Sequence, residues 1–188
     1  MTRAIVALAF LCAGSAMAVT PAMSGVGTDL QPAIAACLDA LAASRRNAAS
    51  MPGPDGPDGP AAYLALTGRA AQLGEETCIG YAAGICTAAS EDGTSTLGTA
   101  ACLRREAEAW NARLNRDYGR VLAIAPPTAR DGYRRAARAW LAFRDATCRI
   151  PANRLGTHDR VVPLTSDCIL SLTARQALRM QRELAELR

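Results

Sequence analysis

The residues whose types could do chemistry are few. Outside the first eighteen residues there are six cysteines, Cys37, Cys78, Cys86, Cys102, Cys148 and Cys168, and one histidine, His158. No Cys-x-x-Cys occurs, so neither a zinc site nor a redox pair is supported. An even cysteine count in an exported chain reads instead as up to three disulfides. His158 stands beside Asp159 in a polar stretch and reads as a surface residue. Glu75 and Glu76 are adjacent and diverge on a helix, whereas a glycosidase pair must face one sugar. Asp55-Gly-Pro-Asp58-Gly lacks the series of oxygen ligands that a calcium loop needs. There is no Gly-rich phosphate loop. These residues supply no catalytic site, no metal ligand set and no cofactor site. The expectation is a protein that binds and is not an enzyme.

The cysteine argument depends on export. Arg3 supplies a charged start, Ala4 to Ala13 an apolar run, and Ala16-Met17-Ala18 a small-x-small cleavage site, so residues 1–18 read as a signal peptide. The apolar run is too short to span a bilayer. Cys12 lies inside it and leaves with it; Leu11 is bulky where a lipidation site wants a small residue. The expected location is periplasmic or secreted. Residues 19–28 form a small-residue lead-in. Residues 29–188 are long enough for a single domain with its own core.

The elements that must position the cysteines read as helices, with no strand pattern. Thr28 or Asp29 can cap a helix to about Ala49, with Leu30, Ile34, Cys37, Leu38 and Leu41 on its apolar face and Pro32 in its first turn. Residues 51–60 carry four Pro and three Gly and form a loop within the domain. Helices are expected over Ala61 to Leu73 and Glu75 to Ala89. On the second, Cys78 and Cys86 would lie about 12 Å apart, too far to bond each other. Cys37 is the natural partner of Cys78, and Cys86 and Cys102 can close the polar turn Ser90 to Gly98. An exchange between these two pairs stays open on spacing alone.

From Thr99 to Ile124 a long helix carries Cys102, Glu106, Trp110, Leu114 and Tyr118 at every fourth residue, continued by Val121 and Leu122. Pro126 and Pro127 stop it. A second stripe follows on the helix from Thr128 to Cys148, where Ala136, Trp140 and Arg144 recur with Ala137, Leu141 and Cys148 beside them. This helix reads as the buried anchor of the fold, with Trp140 in the core beside Trp110. Pro151 to Pro163 is expected to be irregular. Thr165 to Leu187 reads as the last helix, and Cys148 and Cys168 most simply bond across the irregular stretch. The fold class is all-α, a small disulfide-stapled helical bundle.

All 21 basic residues are Arg, and their placement is uneven. Residues 19–101 hold three Arg against eight acids, and residues 102–150 eleven against five. The basic part reads as solvated helix faces, or as a surface for an anionic lipid or cell-wall component. Nucleic acid is not among the expected partners.

Cys102, Trp110, Leu114-Asn115 with Tyr118, then Trp140-Leu141-x-Phe143-Arg144-Asp145-x-x-Cys148, then Cys168 with Leu172-Thr173 and Arg175 resemble the LprI-like lysozyme-inhibitor domain of bacterial envelope proteins. The pattern covers about Thr94 to Leu187. Residues 29–93 look like an added N-terminal part found in some members. The resemblance implies a disulfide-linked helical bundle and a lysozyme as partner. It leaves the motif residues structural: Trp110, Trp140 and Tyr118 as core, Arg144 and Asp145 as an ion pair, and Asn115 as a buried hydrogen-bonding residue. The alternative is an envelope adaptor using its basic helical face. Secreted lysozymes are often cationic, so contact would fall to a local acidic or polar patch. The loop at 51–60 and the turn Ser90 to Gly98 are available to occupy a sugar cleft.

Overall fold

The computed structural model describes residues 29–49 and 74–188. The expected signal peptide and lead-in, the Pro/Gly loop and the helix expected over Ala61 to Leu73 lie outside the described residues. Six α-helices follow in order: α1 (Gln31–Ala49), α2 (Tyr81–Ala89), α3 (Thr96–Ile124), α4 (Pro127–Thr147), α5 (Ile150–Leu155) and α6 (Val161–Glu186), with a 3-10 turn, Glu75–Cys78, ahead of α2. Among the described residues there is no strand.

The two longest helices, α3 and α6, pack along each other and form the spine. Residues 95–97 lie beside Val162, and Arg113 to Arg120 beside Gln181 to Arg188, so the two run parallel. The stripe of α3 does what its spacing predicts. Trp110 and Val121 are fully buried, Leu114 nearly so, and they meet Leu170, Ala174, Ala177 and Leu178 of α6. Leu30 just ahead of α1, Ile34 of α1, and Ala82 and Ala83 of α2 join the same cluster. The Asp29 carboxylate accepts the Gln31 N–H at the start of α1, and the side chain of Gln31 donates to the Ala109 carbonyl of α3.

The three disulfides are Cys37–Cys78, Cys86–Cys102 and Cys148–Cys168, the pairs expected from spacing. The first ties α1 to the 3-10 turn, the second α2 to α3, and the third the end of α4 to α6.

Four expectations are corrected. The helix expected over Glu75 to Ala89 is broken: the 3-10 turn ends at Cys78, and α2 starts only after Gly80, whose φ of +89° a residue with a side chain rarely adopts. The α3 helix begins at Thr96 rather than Thr99, because Ser95 caps it by accepting the Gly98 N–H at 3.0 Å. The stretch Pro151 to Pro163 is irregular only over residues 156–160. Pro151 and Pro163 fall in the first turns of α5 and α6, where the missing N–H has no intrahelical partner to lose.

The fourth correction is the largest. The helix taken as the buried anchor, α4, has no buried residue. It leans on α6, antiparallel to it, since Tyr133 reaches Glu183 and Cys148 reaches Cys168. Trp140 is half-buried and only rests against the core, while Leu141 and Phe143 are exposed. Spacing alone could not assign depth. With α3 and α6 in direct contact, the space beside Trp110 is already filled.

Glu106 joins the spine to α2. It is fully buried in the apolar stripe of α3, and its carboxylate accepts three hydrogen bonds: from the Gly80 N–H at 2.8 Å, the Ala83 N–H at 2.6 Å and Trp110 Nε1 at 2.9 Å. Gly80 is the N-cap residue of α2 and has no side chain to cap it, so Glu106 supplies the cap from another helix. Glu106→Ala strands these donors and is expected to lower the unfolding free energy by about 3 kcal/mol. Glu106→Gln should recover only part of the loss, because its NH2 would face a donor. Thermal unfolding followed by tryptophan fluorescence reads the difference, and an unchanged midpoint for Glu106→Ala would remove this role.

Candidate functional site

Two surface features stand out from the helical framework: a rigid acidic turn at one end of α3, and a cleft where α3, α4 and α6 diverge.

The turn runs from Ser90 to Leu97. Its backbone folds through Gly93 N–H to the Ser90 carbonyl and Ser95 N–H to the Asp92 carbonyl, each at 3.0 Å. The hydroxyls of Ser90, Ser95 and Thr99 donate to the carbonyls of Cys86, Asp92 and Gly93. Gly93 is buried under the turn, and a Cβ there would stand 1.9 Å from the Thr87 carbonyl oxygen, so only glycine permits this approach. The Cys86–Cys102 bond closes the base. Glu91, Asp92, Thr94 and Ser95 are exposed at the tip, and Leu97 is 69% exposed, the most exposed large apolar side chain of the described residues. The result is an internally hydrogen-bonded acidic turn with an exposed apolar side chain at its end.

The cleft is built from three helical faces. Asn111, Asn115 and Tyr118 follow at i, i+4 and i+7 on α3, with Leu114 at its floor. Tyr133 and Trp140 are seven apart on α4, with Ala136 and Ala137 between them. Gln176, Arg179 and Glu183 line the side given by α6, with Met180 beneath. The open volume is about 210 Å³. One end is closed by the Tyr133 hydroxyl donating to Glu183. Beyond the other end, Arg144 lies 5.2 Å from the centre of the Trp140 ring and donates from Nε and Nη2 to Asp145, at 3.0 and 2.8 Å.

The motif residues are therefore divided. Trp110 is core, Leu114 is floor, and the six cysteines are staples. Tyr118 and Trp140 are half-buried at the cleft rather than core, and Arg144 and Asp145 form the expected ion pair. Asn115 corrects the expectation most sharply: it is exposed and faces the cleft, because α4 stands away from α3 at this level. Sequence reasoning missed Asn111, Tyr133, Gln176, Arg179 and Glu183. The signal available was the repeat of large polar or aromatic residues at helical spacing on three helices. Nothing in that repeat says that the three faces meet.

Other chemistry-capable residues have structural places. Glu76 and Glu75 pair with Arg175 and Arg182 of α6 at 3.1 and 3.4 Å. The N–H of Arg160 donates to Nδ1 of exposed His158. On α3, Arg116 and Arg120 share Asp117 at 3.8 and 3.6 Å. Both are half-exposed, where such pairs contribute little.

Such a molecule is a small disulfide-stapled helical bundle. The family model Lysozyme inhibitor LprI matches residues 86–180, just over half of the chain. The chain belongs to the LprI lysozyme-inhibitor family. The match opens at Cys86 and so takes in the stapled turn and the cleft lining up to Met180, with Glu183 just beyond it. No curated protein and no solved structure is matched by the chain. No helix among the described residues is long and apolar enough to cross a membrane.

The cleft's hydrogen bond has a pH signature. Donation to Glu183 first, then burial and the charges of Glu183 and Glu186, push Tyr133 above the ordinary tyrosine value of 10.0. A raised folded value means the bond's stabilisation is complete below about pH 10 and is lost as pH rises through the raised value. Absorbance titration of tyrosinate should show one late-ionising group among the four tyrosines, absent in Tyr133→Phe. In Glu183→Gln that group should move back toward its ordinary value. Identical titrations of the three proteins would contradict the bond.

Proposed function

We propose that the protein is an exported lysozyme inhibitor that acts by binding and not by catalysis, with residues 1–18 as its signal peptide and residues 29–188 as one helical domain. The observation that carries this reading is the family match over residues 86–180. The periplasm or the extracellular space is its place of action, which accords with three disulfides.

The turn Ser90 to Leu97 is the contact element. An inhibitor that occupies a sugar cleft gains from a projection that is already ordered, because little conformational entropy is then lost on docking. The disulfide at its base and the buried Gly93 supply that order. Glu91 and Asp92 give it the charge to approach a cationic enzyme, although residues 19–188 as a whole carry more Arg than acid. Leu97 offers the apolar surface that desolvates on contact.

The test is clearing of a cell-wall suspension by a c-type lysozyme in the presence of the oxidised protein. Dose-dependent protection is expected, abolished by reduction. Replacing Glu91 and Asp92 together by Arg should weaken inhibition by about tenfold or more and remove its salt dependence. Leu97→Asp should weaken it similarly with an unchanged circular dichroism spectrum. Full inhibition by both variants would exclude the turn, and absence of protection by the parent protein would count against this enzyme class as target.

A further inference from the structure

The cleft between α3, α4 and α6 is not needed by the inhibitor reading. Asn115 stands eighteen residues beyond Leu97 on α3, about 27 Å along the helix axis from the turn. Its lining is unusual for a gap beside a peripheral helix. A gap left by loose packing is lined with whatever apolar surface failed to meet, and such cavities stay dry. Here three side-chain carboxamides, Asn111, Asn115 and Gln176, share the walls with Tyr118, Tyr133 and Trp140.

We propose that this cleft binds a neutral pyranose unit of a glycan chain. Charge comes first. The lining has one cation, Arg179, and one anion, Glu183, and the anion already accepts from Tyr133. A charged ligand gains no net attraction. Polarity comes next. Each carboxamide offers both donors and an acceptor, and a ring hydroxyl likewise donates and accepts. Among the described residues the three amides have no other hydrogen-bond partner. An acyl chain or an apolar peptide side chain would cover them without replacing their bonds to water, a cost of about 1–3 kcal/mol for each. Shape decides the rest. Aromatic rings carry a negative face, which suits the weakly positive C–H groups of a pyranose. At about 210 Å³ the cleft is smaller than a drug-sized pocket and holds one ring, with the chain leaving through the open side.

The walls are prepared for such a ligand. Each stands on a helix of at least 21 residues. The Cys148–Cys168 bond and the Tyr133–Glu183 hydrogen bond fix α4 against α6 on either side of Trp140. Arg144 packs on the Trp140 ring and restricts its rotation.

The sugar titration needs no lysozyme. Tri-N-acetylchitotriose and cellotriose, both neutral, are titrated into the oxidised protein while tryptophan fluorescence and calorimetric heat are recorded. Saturable binding of at least one is expected, with an emission change that disappears in Trp140→Phe. Asn115→Ala alters an exposed side chain, so its fold should persist, and it should weaken binding by about tenfold, one lost charge-neutral hydrogen-bond pair. Lysozyme inhibition by Asn115→Ala should stay unchanged, which separates this site from the turn. No saturable binding of either sugar, or equal binding by Asn115→Ala and the parent, would overturn the proposal.

Discussion

Glu106 places a carboxylate in the middle of an apolar helix face, where an unpaired charge would cost several kcal/mol. The surrounding structure is arranged to receive it. The N-terminus of α2 aims two backbone N–H groups at its oxygens, and Trp110 adds a third donor from one turn along the same helix. The positive end of the α2 dipole points the same way. Gly80 is required for this, because its positive φ turns the chain so that its own N–H and that of Ala83 converge on one carboxylate. The short helix α2 has nine residues and would be marginal alone. Docked on Glu106 at its start and bonded through Cys86 near its end, it becomes a fixed part of the spine.

That docking has a consequence for the surface. The turn that follows α2 inherits its position from Glu106 on one side and the Ser95 cap on the other. A projection held in this way presents Glu91, Asp92 and Leu97 in one arrangement. The opposite logic governs α4. It buries no residue and is held chiefly by a disulfide, one tyrosine hydroxyl and an Arg–Trp stack, so a cleft remains beside it. One part of the molecule is therefore closely tied to the spine, and the other leaves an open cleft.

Much of this architecture was legible in the residues. The four-residue stripe from Cys102 to Val121 marked a long helix with one apolar face, because a core helix must bury one face along its length, although the sequence placed the anchor on the next helix. Spacing excluded a Cys78–Cys86 bond and suggested the neighbours each could reach, but the structure was needed to separate Cys37–Cys78 and Cys86–Cys102 from their exchange. Depth was not legible. Trp110 and Trp140 occupy similar stripes, yet one is the centre of the core and the other a wall of a cleft. The difference is set by α6, which packs directly on α3 and leaves α4 no interior to fill. Glu106 was visible in the stripe, but its role depends on Gly80 and Ala83, which lie 26 and 23 residues away in the chain. The exposed position of Asn115 was hidden for the same reason: spacing reports the face of a helix, and not what stands opposite it.

Hydrogen–deuterium exchange of the oxidised protein with and without a c-type lysozyme addresses the central claim most directly. A stapled acidic turn that docks into the enzyme predicts new protection confined to residues 90–98 and the first turn of α3, with the amides around the cleft unchanged. Complex formation that protects the cleft or the α4 surface and leaves residues 90–98 exchanging as in the free protein would contradict the account.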